Sequence, residues 1–112
     1  MDDALHILWT TDNPVTAERM VFMYAINSLK NAWWEDVQVI IWGAATDLAG
    51  HNAAIQEKMK LFQEMGGHIA ACRKCAEEMG LVENLEALGI EVIYMGAPLT
   101  QILKSGAKLL SV

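Results

Sequence analysis

Positive charge is scarce in this chain. Eight Lys and Arg stand against fourteen Asp and Glu in 112 residues, giving a formal net charge of −6 and a pI near 4.9. Binding to nucleic acid or to an anionic membrane needs a basic face, so neither is expected as a partner. No apolar run approaches the ~18–20 residues of a membrane-spanning helix. The start, Met1-Asp2-Asp3, lacks the basic segment of a secretory signal. There is no G-x-x-x-x-G-K-[ST], no G-x-G-x-x-G and no G-x-S-x-G, so nucleotide hydrolysis and serine-hydrolase chemistry have no motif behind them. Proline occurs twice, and no linker, repeat or low-complexity segment divides the chain. One domain over residues 1–112 is expected. Cysteine also occurs only twice, as Cys72 and Cys75.

What the chain has in quantity is apolar residues, at 54%, against 20% charged. That composition excludes disorder. A small domain this apolar is expected to hide part of its surface in an oligomer. With no export signal the expected compartment is the cytoplasm. Thiols stay reduced there, and two cysteines point to catalysis, redox or metal rather than a staple.

The apolar pattern alternates between strands and helices. Ala4 to Thr10 reads as a buried strand, and Asp12 or Asn13 caps a helix from Pro14 to about Asn31. Met20, Met23, Tyr24, Ala25 and Ile26 leave that helix little polar face, so it should be buried on more than one side. Val37 to Trp42 is β-branched and apolar, a second and central strand. Gly43 to Asp47 reads as the loop after it, and His51 as a residue at the start of the next helix. That helix runs from Asn52 to Met65, with Ile55, Met59 and Phe62 on one side. The methionines on helical faces, Met20, Met23, Met59 and Met65, are expected in the core. His68 to Cys72 is a third strand. Short helices over Arg73–Met79 and Leu81–Leu88 end at Gly80 and Gly89. Ile90 to Met95 is a fourth strand, followed by a helix from Gly96-Ala97-Pro98 to about Lys104. Lys108 to Val112 is a fifth strand. Strands alternating with helices give an α/β fold, with a mainly parallel sheet covered on both faces.

In such sheets the binding crevice lies outside the carboxyl ends of the strands. Thr11 and Asp12 in the first loop, and Gly43 and Ala44 in the second, are therefore candidate binding residues. The third loop carries the chemistry: Cys72-Arg73-Lys74-Cys75, a C-x-x-C where a strand gives way to a helix. A helix N-terminus favours an anion, and Arg73 and Lys74 add positive charge, so a thiolate is expected there. The spacing permits three chemistries. One is a nucleophilic thiolate that takes up sulfane sulfur as a persulfide. Another is a dithiol redox pair. The third is zinc, which needs two further ligands that His51 and His68 do not offer at any standard spacing. His6 reads as a satisfied sheet histidine, and Asp12 and Asp47 as helix caps.

The chain resembles the DsrE/DsrF-like proteins, small sulfur-relay and related domains, over nearly its whole length. The resemblance is carried by Leu5-His6-Ile7-Leu8 with its polar loop, by Val37 to Trp42 ending in Gly43, and by Ile69-Ala70-Ala71 ending in Cys72. Met79-Gly80-Leu81 and the ending Gly106-Ala107-Lys108-Leu109-Leu110-Ser111-Val112 complete it. It implies a three-layer α/β/α sandwich around a five-stranded sheet, with no cofactor. It implies homo-oligomers, trimers or hexamers, that work with sulfur donor and acceptor proteins. It also implies a persulfide on the cysteine matching Cys72, which makes the chain a sulfur carrier or sulfurtransferase. Cys75 has no counterpart in the sulfur-carrying members and adds a second thiol for a dithiol step. Two other readings stay open: a non-catalytic oligomeric binding module, and a Cys72/Cys75 redox switch.

Overall fold

In a computed structural model that describes residues 3–112, five parallel strands form one sheet in the order β4-β3-β2-β1-β5. Met1 and Asp2, part of the acidic start, lie outside the described residues. The strands are β1 (Ala4–Trp9), β2 (Asp36–Ile41), β3 (His68–Cys72), β4 (Glu91–Ile93) and β5 (Lys108–Ser111). All neighbouring pairs are parallel, and β2 lies at the centre as its apolar run requires.

The chain order decides which face each helix covers. From β1 to β2, β3 and β4 the chain steps the same way across the sheet. Right-handed crossovers therefore put the intervening helices on one face. These are α1 (Pro14–Thr16), a π-helical segment (Ala17–Phe22), α2 (Met23–Lys30), α3 (Ala45–His51), α4 (Ala53–Glu64), α5 (Arg73–Met79) and α6 (Val82–Ala87). The last crossover returns from β4 past three strands to β5, so α7 (Gly96–Ser105) covers the other face. Three layers result, with unequal cover. The face bearing Leu5, Ile7, Trp9, Val39, Ile41, Ile69 and Ala71 is sealed by the large core. The face bearing Ile40, Ala70 and Cys72 has a small cluster, packed by Leu8, Trp42, Cys75, Ile93 and Ile102. No residue of α7 is fully buried, and Leu103 is largely exposed.

Several local expectations are corrected. Gly43 to Asp47 is not an extended loop. The turn ends at Ala44, and α3 follows because Ala45, Thr46, Leu48 and Ala49 form a buried stripe of small and apolar residues. His51 consequently ends α3, with its Nδ1 2.9 Å from Asp47 Oδ1, and Asn52 caps the next helix by accepting the Ile55 N–H. The long helix begins at Asn13, whose side chain accepts from the Thr16 N–H, but a π segment interrupts it. Met20 in the π segment and Met23 at the start of α2 are 38% and 49% exposed rather than core. The buried stripe instead runs through Ala17, Val21, Phe22, Ala25 and Ser28. Met59 is in the core as expected.

One glycine is fixed by packing rather than by backbone angle. A Cβ on Gly67 would enter the ring of Phe62, which is fully buried, while the Gly67 N–H donates to the Phe62 carbonyl at 2.9 Å. Gly67→Ala should therefore displace the ring and cost about 1–3 kcal/mol, the usual range for overpacking a tight core. A denaturation midpoint unchanged from native would contradict this contact.

Candidate functional site

Cys72 closes β3 and acts as the N-cap residue of α5, with φ −64° and ψ 115°. Three residues on, Cys75 occupies the third helical position. Strand alternation sends the Cys72 side chain to the same face as Ala70 and, across the ladder, Ile40. There it packs with Ile40, Ala70 and Met95, and Cys75 packs against the same cluster. The Cys72 sulfur does not open onto the crevice expected outside the carboxyl ends of the strands. Cys72 is 4% exposed, and Cys75 is the half-buried thiol of the two. The cause is long-range: Met95, the N-cap residue of α7 and itself 2% exposed, packs in the cluster with Cys72, and Ile102 of α7 packs against it.

The loops of the carboxyl edge divide between two places. Gly43, with φ +64°, turns the chain after β2, and its N–H points at Cys75 Sγ at 3.4 Å. Gly43 and the two cysteines thus share one site, and Ala44 is the exposed residue just before α3. Thr11 and Asp12 follow β1, two strands away from β3, a separation of about 10 Å between strand axes. Their loop is tied to the chain end instead. Thr10 and Thr11 N–H donate to the Val112 carbonyl at 2.8 and 3.3 Å, and Thr11 Oγ1 accepts from the Asn13 N–H. Asp12 is exposed.

The basic pair beside the thiols is engaged elsewhere. Arg73 Nε lies 3.4 Å from Glu77 Oε2, and Nη1 lies 3.9 Å from Glu86 Oε2 and donates to the Val92 carbonyl at 3.3 Å. The guanidinium also sits 6.0 Å from the Tyr94 ring centroid, and Tyr94 donates its hydroxyl to Glu77. Lys74 faces Glu78 at 4.0 Å on the surface. Arg73 therefore clamps α5 to α6 and β4, which fixes the backbone that carries both cysteines. The Arg73–Glu77 pair could be read from its i,i+4 spacing. Glu86 could not, because it arrives with the packing of α6, nor could Tyr94 and Met95, which follow the strand that pairs with β3.

Burial pushes the Cys75 thiol above the ordinary cysteine range. The Gly43 N–H works against that, while the Cys72 side chain and the Glu78 carboxylate add to it. The raised value means that at neutral pH the thiol form of Cys75 dominates more than in free cysteine. Its rate of alkylation in Cys72→Ser protein should climb with pH to a midpoint above that of free cysteine. A midpoint at or below the free value would contradict the burial seen here. Among the described residues no group of three or more His, Cys, Asp and Glu is placed to hold a metal ion, and no helix is long and apolar enough to cross a membrane.

The sequence and the fold both match known proteins. A conserved protein of unknown function, BT1422 from Bacteroides thetaiotaomicron, has 43% identity and a TM-score of 0.97, covering 98% of this chain and 95% of its own. The ychN protein from E. coli has the same fold at 15% identity, with a TM-score of 0.75 and both chains fully covered. MTH1491, a protein of unknown function from Methanobacterium thermoautotrophicum, aligns at 14% identity and a TM-score of 0.65 over 97% of each chain. No protein of curated function matches the sequence. The profile of the DsrE/DsrF-like family matches residues 7–112, and the chain belongs to that family.

Proposed function

We propose that this chain is a sulfur-relay protein that carries sulfane sulfur as a persulfide on Cys72 and passes it to a partner protein. The observation that carries the reading is the pairing of two free thiols in one apolar cluster at the carboxyl edge of β3, one buried and one half-buried. Family membership supports it at the level of the fold. In loading, the Cys72 thiolate attacks the outer sulfur of a donor persulfide. The donor's S–S bond breaks and its thiolate leaves, so no net oxidation occurs. The surroundings of Cys72 suit storage, since Ile40, Ala70 and Met95 keep water away from a reactive sulfur. Cys75, the half-buried thiol, packs against the same cluster.

The same proposal places the protein in the reducing cytoplasm, as a homo-oligomer that meets donor and acceptor proteins. To test the carrier, Cys75→Ser protein is treated with inorganic polysulfide, desalted and weighed intact. It should gain one sulfur atom, and the Cys72→Ser/Cys75→Ser double variant none. A folded Cys75→Ser chain that gains no sulfur rejects the reading.

A further inference from the structure

We propose that Cys75 resolves the Cys72 persulfide, releasing its outer sulfur as hydrogen sulfide and closing a Cys72–Cys75 disulfide. This rests on the carrier reading above and adds a second exit for the sulfur. A partner's thiolate attacks the outer sulfur and takes it away as a persulfide. The Cys75 thiolate attacks the inner one, Cys72 Sγ, and sets the outer sulfur free.

The geometry comes from the helix start. Cys72 is the N-cap residue with extended backbone angles, and Cys75 is at the third helical position. These are the two positions whose side chains reach back to each other's backbone in a capping box. Residues three apart on a helix have Cβ atoms about 5–6 Å apart, and a disulfide needs Cβ atoms roughly 3.5–4.5 Å apart. The bond therefore requires an approach of about 1–2 Å, which falls to Cys72, the N-cap residue outside the helical turn. Both sulfurs already belong to one apolar cluster. The Gly43 N–H, 3.4 Å from Cys75 Sγ, is a donor aimed at the attacking atom, where it favours the thiolate.

The step balances without an external oxidant. The persulfide on Cys72 and the thiol of Cys75 become a Cys72–Cys75 disulfide and one molecule of hydrogen sulfide. The outer sulfur gains two electrons, and the two cysteine sulfurs supply them in forming the disulfide. Hydrosulfide is a weaker base than an alkyl thiolate and so leaves readily. A dithiol reductant, small or protein-borne, resets the pair by exchange, and the cycle then reduces sulfane sulfur to sulfide. Because burial holds the Cys75 thiol protonated, release should quicken as pH rises towards and past the free-cysteine range.

The experiment loads native, Cys75→Ser and Cys75→Ala protein with inorganic polysulfide at one pH, removes excess reagent, and follows trapped sulfide and intact mass. Circular dichroism confirms that each variant is folded. Native protein should release one sulfide per chain and end two hydrogens lighter than its reduced form. Both variants should keep their sulfur at least about tenfold longer, the minimum gain expected from an intramolecular thiol. If native and variant proteins hold the sulfur equally long, Cys75 is not the resolving thiol and the proposal falls, while the carrier stands. If folded variants never take up sulfur, the carrier reading falls and this proposal with it.

Discussion

Phe22→Ala should lower the stability of the protein by about 3–5 kcal/mol, the range for removing a fully buried aromatic side chain. Phe22 is the middle ring of a stack. Its centroid lies 5.3 Å from that of Trp9 at 89°, and 6.1 Å from that of Phe62 at 70°. All three side chains are fully buried. The stack ties β1, the π segment and α4 together, so the truncation opens a cavity shared by three elements that cannot all close on it. Edge-to-face pairs add about 0.5–1.5 kcal/mol each beyond area burial. Against a typical total of ~5–15 kcal/mol for a domain, that is a large fraction. Phe22→Leu keeps most of the volume and should cost far less. Urea denaturation of the two variants checks the order, and equal losses would contradict the cavity account, since Leu restores most of the lost volume.

The second large effect is chemical. Cys72→Ser protein should keep no sulfur after polysulfide treatment at neutral pH, although its remaining thiol is the more exposed one. Cys75 fails as a substitute because a persulfide formed there would lie closer to solvent than one on Cys72, within reach of any passing thiol. The measurement is the intact mass of the variant beside that of Cys75→Ser. A Cys72→Ser chain that holds sulfur as long as Cys75→Ser does would move the carrier to residue 75.

The elements that could be read from sequence are those with a strong local signal. Val37 to Trp42 is β-branched, Asn13-Pro14 starts a helix, Gly80 and Gly106 end helices in the left-handed conformation, and the strand–helix alternation implies the parallel sheet. α3 is hidden because it is built from Ala, Thr, Asp, Gly and His around a single Leu, which reads as a turn until α4, α5 and α6 pack on it. The π segment leaves no mark on a 3.6-residue pattern, and the side chains it turns outward, Met20 among them, look like core in the sequence.

At the site, the C-x-x-C spacing and the strand–helix junction could be read directly. The order of exposure could not. Which thiol is covered depends on Met95 and Ile102, more than 20 residues downstream and brought to Cys72 by the β3–β4 register and the reversed crossover of α7. Nor does the sequence show that Arg73 is held by Glu77, Glu86 and Tyr94. In the fold its charge braces α5, and the donor nearest a sulfur is a backbone N–H of Gly43.

Trypsin offers the most direct check on where the sulfur is held, because Arg73 and Lys74 separate the two thiols. Cleavage after Lys60, Arg73, Lys74 and Lys104 puts Cys72 on the peptide 61–73 and Cys75 on the peptide 75–104. Native protein is loaded with polysulfide, capped at the earliest time by an alkylating agent that blocks thiols and persulfides, digested and weighed. The extra sulfur should appear on peptide 61–73. Its appearance on peptide 75–104 alone, or on neither at any time, would contradict a carrier at Cys72.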